Sequence, residues 1–320
     1  MRISIMTLNI NTGHGPRGAF LQRISKKELL HNLCSVAREI RGLSPDVVCL
    51  QEVDFSWEGT SNINQAHYIA EKANYPYVAL GLHHKRVASP LFSVWPFSKL
   101  GSVLNRSFGT AILSKYPIEQ FSFHNFGTGS LPRQLSYVAH LLNETKGYSE
   151  IIARVGKRAV RVMSVHTMND IVYEITRVLG RPIRGVSLIR EAQVLELLTA
   201  IKKSKIPVLV GGDFNTIPLT QAKRRFNGLE GDEGDEDDYS KDMSMSMIAT
   251  AVYRGVLNGL SVFFSKRSKE SLTDYYTYPA HIPNRVLDYI FTTPNITFTT
   301  YATVPVVVSD HLPVMAEVLL

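Results

Sequence analysis

Apolar positions along this chain fall into short dense runs and longer, spaced ones. Ile3–Ile10 is a short apolar stretch bounded by polar residues, which predicts a buried strand. Leu29, Leu30, Leu33, Val36, Ala37 and Ile40 then recur at helical spacing, and Val47–Leu50 follows as a second strand. Asn64–Ala73 predicts another helix. From residue 109 the pattern turns β-rich: Thr110–Ser114, Phe121–Phe126, Gln134–Leu142, Ile151–Val155 and Ala159–His166, with Gly156-Lys157 as a hairpin turn. Leu188, Ile189, Ala192, Leu195, Leu198 and Ile201 mark a further amphipathic helix that leads into Pro207–Val210. Val286–Phe291, roughly Thr297–Val304, and Val314–Leu319 supply the last strands. Residues 81–107 have no clear period and mix basic with aromatic side chains, which fits either a substrate-contacting insertion or a locally packed excursion. No linker divides the chain, so one domain over 1–320 is expected, with two packed sheets and helices outside.

Charge changes this picture more than composition does. The formal net charge is +7, but residues 230–242 hold eight acids and one lysine, a local −7 that suggests a loosely held loop. The rest of the chain carries 34 basic against 20 acidic side chains, a net +14. Such an excess suits a polyanionic partner, either nucleic acid or an anionic lipid surface; it also serves plain solubility. Two cysteines, Cys34 and Cys49, indicate packed free thiols and not a disulfide framework. Met1 leads almost directly into the first strand and no apolar run approaches membrane-spanning length, so a cytoplasmic protein without a transmembrane segment is expected.

Chemistry enters where the apolar runs end. Thr7-Leu8-Asn9 lies inside the first run. Leu50-Gln51-Glu52, Gly211-Gly212-Asp213-Phe214-Asn215 and Ser309-Asp310-His311 directly follow Val47-Val48-Cys49, Val208-Leu209-Val210 and Val306-Val307-Val308. Functional groups on strand ends converge when the strands share a sheet edge. Their oxygens are hard ligands suited to Mg²⁺ or Mn²⁺, and a neighbouring His can move protons, so a metal-assisted hydrolase is expected. Asp213 and Asn215 lie two apart and would point the same way on extended backbone; the alternative is an Asx-type turn. An unpaired Glu52 at the end of a buried strand would be costly, and a metal offsets that cost.

In order, these segments resemble the endonuclease/exonuclease/phosphatase superfamily, the group of DNase I, exonuclease III-type repair nucleases and neutral sphingomyelinases. The markers run nearly end to end. They are Thr7-Leu8-Asn9, Leu50-Gln51-Glu52-Val53-Asp54, Gly109-Thr110-Ala111-Ile112-Leu113-Ser114, Ser164-Val165-His166, Gly212-Asp213-Phe214-Asn215, Arg285-Val286-Leu287-Asp288-Tyr289-Ile290 and Ser309-Asp310-His311-Leu312-Pro313. The resemblance implies a four-layer α/β sandwich and a Mg²⁺-dependent phosphoester hydrolase. It makes Glu52 the principal metal ligand and Asp310 a second ligand or water-holder, and it sets Asn9 beside metal and phosphate. It pairs Asp288 with His311 to activate the attacking water, and gives His166 leaving-group protonation or phosphate contact. Asp213 would position water and Asn215 would donate to a phosphoryl oxygen.

The substrate stays open between classes. Asp54 stands where the repair enzymes usually have Lys, and Tyr275-Tyr276-Thr277-Tyr278-Pro279 replaces their Trp-rich segment. Those departures, with His166 and the Tyr278, Pro279, Pro283, Arg285 run, lie closer to general bacterial and sphingomyelinase-like members. Nucleic acid is favoured by the charge excess. The alternatives are a phospholipase C acting on an anionic or choline-type phospholipid surface, a small-phosphoester phosphatase, and, remotely, a non-catalytic binding protein.

Overall fold

A computed structural model describes residues 1–17, 24–84, 107–126, 146–168, 186–221, 242–265 and 267–320. The expected strand over Gln134–Leu142, most of the insertion near 81–107 and nearly all of the acidic stretch lie outside these residues. Eleven strands and four α-helices appear among the described residues. They are β1 (Arg2–Asn9), α1 (Lys26–Leu43), β2 (Val47–Ser56), α2 (Gln65–Ala73), β3 (Tyr77–His84), β4 (Ser107–Ser114), β5 (Ile118–Asn125), β6 (Gly147–Val155), β7 (Arg158–His166), α3 (Val186–Lys202), β8 (Val208–Asp213), α4 (Ser244–Tyr253), β9 (Asp288–Thr292), β10 (Thr297–Thr303) and β11 (Val314–Leu319).

Six strands form one sheet in the order β10-β11-β1-β2-β4-β3, and five form the other in the order β5-β6-β7-β8-β9. Each sheet holds one parallel pair, β1–β2 or β7–β8, among antiparallel neighbours. A helix lies between the strands of each parallel pair, α1 in the first and α3 in the second. Ile3, Ile5, Val47, Cys49 and Ile112 from one sheet pack against Ile151, Val160, Val162, Leu209 and Ile290 from the other. Alternate residues of the same strands face outward: Met6, Leu8 and Val48 meet Leu29, Leu33 and Val36 of α1. On the far side Met163, Val165 and Val210 meet Val194 and Leu197 of α3 and Met245 and Ile248 of α4. The result is a four-layer α/β sandwich. Cys49 is buried between the sheets, Cys34 is exposed on α1, and both are free, so only Cys49 is packed as expected. Among the described residues no helix is long and apolar enough to cross a membrane.

Two expectations change. Val306-Val307-Val308 is not a strand; it lies partly exposed between β10 and β11, where Pro305 removes a ladder donor. Ser309-Asp310-His311 therefore sits in the turn that enters β11. The aperiodic stretch also begins later than expected, because residues 81–84 finish β3 and Ser107 opens β4.

Candidate active site

The ladder itself sets three functional groups in a row. His166 ends β7, Asp213 ends β8 and Asp288 opens β9, and His166 pairs with Asp213 while Asp213 pairs with Asp288. On the facing sheet Asn9 ends β1 beside Gln51 of β2. Asn9 Nδ2 reaches across and donates to Asp213 Oδ2 at 3.0 Å, while its Oδ1 accepts from the Asn11 amide at 2.9 Å. Gly211 permits this approach: an added Cβ there would stand 3.2 Å from Thr7 Cβ and 3.3 Å from Cys49.

Glu52 reaches the same pocket by a different route. The β2–β4 register slips between Leu50 and Val53, and Glu52 takes φ 52, a left-handed conformation unusual for a non-glycine residue. This bulge re-aims the side chain, so that Glu52 Oε1 and Asp213 Oδ2 each lie 3.7 Å from His166 Nε2. Asn215 also has a positive φ, 46. Its backbone N–H donates to Asp213 Oδ1 and its Nδ2 to Thr167 O, both at 3.0 Å. An Asx-type turn therefore joins Asp213 to Asn215, where extended backbone was expected, because β8 ends at Asp213.

His311 Nδ1 meets Asp288 Oδ2 at 2.8 Å, and its Nε2 lies 3.9 Å from Asp213 Oδ2. The 277–280 segment supports this pair from behind. Thr277 Oγ1 accepts from the Leu287 and Asp288 amides, the Tyr278 ring lies 4.7 Å from the His311 ring, and the Ala280 amide donates to Asp310 O at 2.7 Å. The sequence marked the 275–279 segment only as a departure from the repair enzymes, and the support that Thr277 and Tyr278 give to this pair was missed. Lys146 was missed as well; it is buried, with Nζ 3.1 Å from His166 Nε2.

Electrostatics in the pocket are those of crowded acids. Burial pushes the Asp213 carboxyl up to about 7 against the pull of His311, and pushes Asp310 up to about 6, aided by Glu52 and Asp288. Burial alone would lower His311, but Asp288, Asp213 and Asp310 together hold it well above its ordinary value. His166 is held well below its own, by desolvation first and then by Lys146.

Ligand atoms of Asp213, Asp288 and His311 all lie within 4.8 Å of one another, so this buried group could hold a divalent cation. Asp288 Oδ1 is buried and has no hydrogen-bond partner among the described residues. Within the group, however, Asp288 Oδ2 is already taken by His311. Glu52, 9% exposed, makes no hydrogen bond among the described residues, and Asp310 feels its charge. A desolvated, donor-free carboxylate on a strained bulge fits a hard cation as well as the compact group does.

Hard oxygens and imidazoles around one strand-end pocket fit a metal-dependent hydrolase, and the family match makes the class a metal-dependent phosphoesterase. The chain belongs to the Endonuclease/Exonuclease/phosphatase family, whose model matches residues 6–311. It is 26% identical over 215 residues to the protein YbhP of Escherichia coli (strain K12), and the match covers 66% of either chain. Thus it spans about two thirds of that relative's length. Among solved structures, an endonuclease/exonuclease/phosphatase from Beutenbergia cavernae DSM 12333 is similar at TM-score 0.67 and 18% identity, covering 100% of this chain and 72% of that one. The catalytic domain of human Nocturnin with bound sulfate anion matches at 0.59 and 16%, covering 99% and 94%. TDP2 from D. rerio complexed with single strand DNA product matches at 0.59 and 13%, covering 100% and 99%. At these identities the structural likeness carries the fold.

Proposed function

We propose that the chain hydrolyses phosphodiester bonds of nucleic acid by in-line attack of water, with Mg²⁺ or Mn²⁺ held by Glu52 and Asp310. His311 takes the water's proton at Nε2, while Asp288 fixes Nδ1 and so the tautomer. Asp213 orients the water from beside Nε2. Asn9 and Asn215 each use one amide N–H within the protein and keep a second for phosphoryl oxygens. His166 meets the phosphate from the other side of Asp213. A bound divalent cation supplies positive charge to the phosphoryl oxygens and offsets the carboxylate field on His311.

The observation that carries the nucleic-acid reading is the net +14 outside residues 230–242. The single strand DNA product held by the similar TDP2 supports it. A second reading, a phospholipase C-type headgroup hydrolase, has an observation of its own. Ile282 and Val307 are 68% and 48% exposed on the segments flanking Asp310 and His311, an apolar rim suited to a lipid headgroup layer. The aromatics that would join them, Phe92, Trp95 and Phe97, lie outside the described residues.

A parallel screen separates the readings. Supercoiled plasmid, single-stranded RNA, sphingomyelin vesicles and a soluble bis-phosphoester are each incubated with Mg²⁺ and with excess EDTA. Cleavage of plasmid or RNA that EDTA abolishes is expected, and turnover of sphingomyelin alone would replace the nuclease reading with the lipid one. Glu52→Ala should lose the Mg²⁺ binding heat in calorimetry while keeping its far-ultraviolet spectrum. Full activity in EDTA, or unchanged Mg²⁺ binding in that variant, would remove Glu52 from the metal site.

A further inference from the structure

We propose that Lys146 is a further catalytic residue, one that contacts the oxygen leaving phosphorus. It stands just ahead of β6, whose first residue, Gly147, pairs with His166. Its side chain is buried, although a four-carbon stem usually carries an ammonium out to water. Nζ lies 3.1 Å from His166 Nε2 and 3.5 Å from Nδ1. Near-equal distances set it beside the ring, between the two nitrogens and off the axis of either lone pair. At most one of its three N–H groups is well used there, and among the described residues it forms no ion pair. A buried ammonium without a carboxylate is costly, and an arriving anion relieves that cost.

Its place in the row names the anion. Lys146 meets His166, His166 faces Asp213, and Asp213 closes a compact group with Asp288 and His311, so the lysine stands on the β7 side of Asp213 and the proposed water-activating pair on the β9 side. In-line displacement sets entering and leaving oxygens on opposite sides of phosphorus. The inference rests on that reading: if the water enters beside His311, the leaving oxygen departs toward Lys146. As the P–O bond breaks, its electron pair passes to the leaving oxygen, which takes a proton from Nζ. The water's own proton goes to His311, and the amine regains one from solvent after product release. His166 keeps the ammonium in place and retains its phosphate contact. The competing account is a lysine that only balances the charge of Glu52 and Asp213.

Leaving-group chemistry distinguishes the two. A sulfur in the bridging position leaves as a thiolate and needs little protonation, so it bypasses a missing acid. Rates with Mg²⁺ are measured on a thymidine dinucleotide and on its two bridging-sulfur analogues, for the wild-type chain, Lys146→Met, Lys146→Arg and His311→Ala. Lys146→Met should lose about 100-fold or more in kcat on the oxygen ester but less than about tenfold on the sulfur ester with the matching leaving side. His311→Ala should lose equally on both. Equal losses for Lys146→Met would overturn the proposal and leave a charge-balancing lysine. If that variant does not fold, Lys146→Arg decides. Its weaker acid must raise the sulfur-to-oxygen rate ratio above wild type, and an unchanged ratio overturns the proposal. If the wild-type chain cleaves no dinucleotide, the nucleic-acid reading has failed and not the lysine. The same ratio is then read on a phosphocholine ester and its bridging-sulfur analogue.

Discussion

Two carboxylates face His311, and they act on it differently. Asp288 Oδ2 holds Nδ1 at 2.8 Å and is fully buried, whereas Asp213 Oδ2 stands 3.9 Å from Nε2 and also accepts from Asn9. Asp288→Asn keeps the shape, removes the charge and can offer an N–H to Nδ1, which frees the ring to turn or change tautomer. We expect this variant to lower kcat by roughly 10²–10⁴-fold with little change in KM. The carboxylates hold the imidazole above its ordinary value, and a proton acceptor works only above its own pKa. Removing one charge therefore moves the acid limb of kcat/KM to lower pH. A limb that stays in place or moves up would exclude Asp288 as the partner that sets His311. Asn9, Glu52, Asp213 and His311 stood out in the sequence as amide, carboxylate and imidazole groups in or beside apolar runs, and Asp288 through the family resemblance; the structure brings all five to one pocket. Lys146 did not, and Thr277 and Tyr278 drew notice only as part of a segment that departs from the repair enzymes, not for their support of His311. They are common residue types whose meaning lies in one contact with a distant partner, such as His166 for Lys146 or His311 for Tyr278.

At the scale of elements, the sheets are pinned together at the edge formed by β3 and β5. His83 of β3 meets Thr110 Oγ1 of β4 and Asn125 Oδ1 of β5, each at 2.8 Å, and Thr110 meets Ser149 of β6 at 2.8 Å. Gly147 makes room, since a Cβ there would meet His83 Nδ1 at 2.6 Å. This pin also explains why β3 was missed: its inward residues are Ala79, Gly81 and His83, while Val78, Leu80 and Leu82 face the outer side, so no buried apolar period appears. Helix α4 was missed for a related reason. Met245, Ile248 and Ala251 do recur at helical spacing, but among serines and threonines and just after the acidic stretch. The parallel pairs, by contrast, were legible as dense apolar runs because both faces of β1, β2, β7 and β8 are covered. Burial lowers His83 from 6.5 to about 4, against the opposing hydrogen bond that its Nδ1 donates to Asn125 Oδ1. Between those values the unfolded chain binds the proton and the folded chain does not, so stability falls as pH drops below 6.5. Going from about pH 7.5 to pH 5, the loss should be about 2 kcal/mol in urea unfolding. His83→Gln can keep one hydrogen bond without titrating, and its pH-dependent loss should be smaller by that amount. An identical pH slope in both proteins would mean that His83 is charged, or unburied, in the folded state.

The whole molecule separates its charge, and that separation bears on what it binds. Residues 230–238 contribute seven acids, while the chain outside 230–242 carries a net +14. Asp242 belongs to the fold, because its Oδ2 accepts from buried Arg190 Nε at 2.7 Å. It should be left intact in any test. If the basic body binds a nucleic-acid backbone, each neutralised phosphate releases counterions, and log Kd against log salt should rise with a slope of about 0.7 per contact on a single strand. The acidic stretch would then repel the same ligand through solvent, over a range of about 10 Å at 0.1 M salt. Replacing the seven acids of 230–238 with Asn and Gln should tighten binding to a single-stranded oligonucleotide at low salt. At roughly 0.5 M salt, where screening shortens that range further, the gain should largely vanish. Because the change adds no contact, cleavage of a soluble bis-phosphoester should be unaffected in both salts. Tighter binding that persists at high salt would mean that the stretch occupies the substrate path. No change at either salt, together with a flat salt dependence for the wild-type chain, would remove the charge argument for nucleic acid and leave the apolar rim of Ile282 and Val307 as the better guide to the substrate.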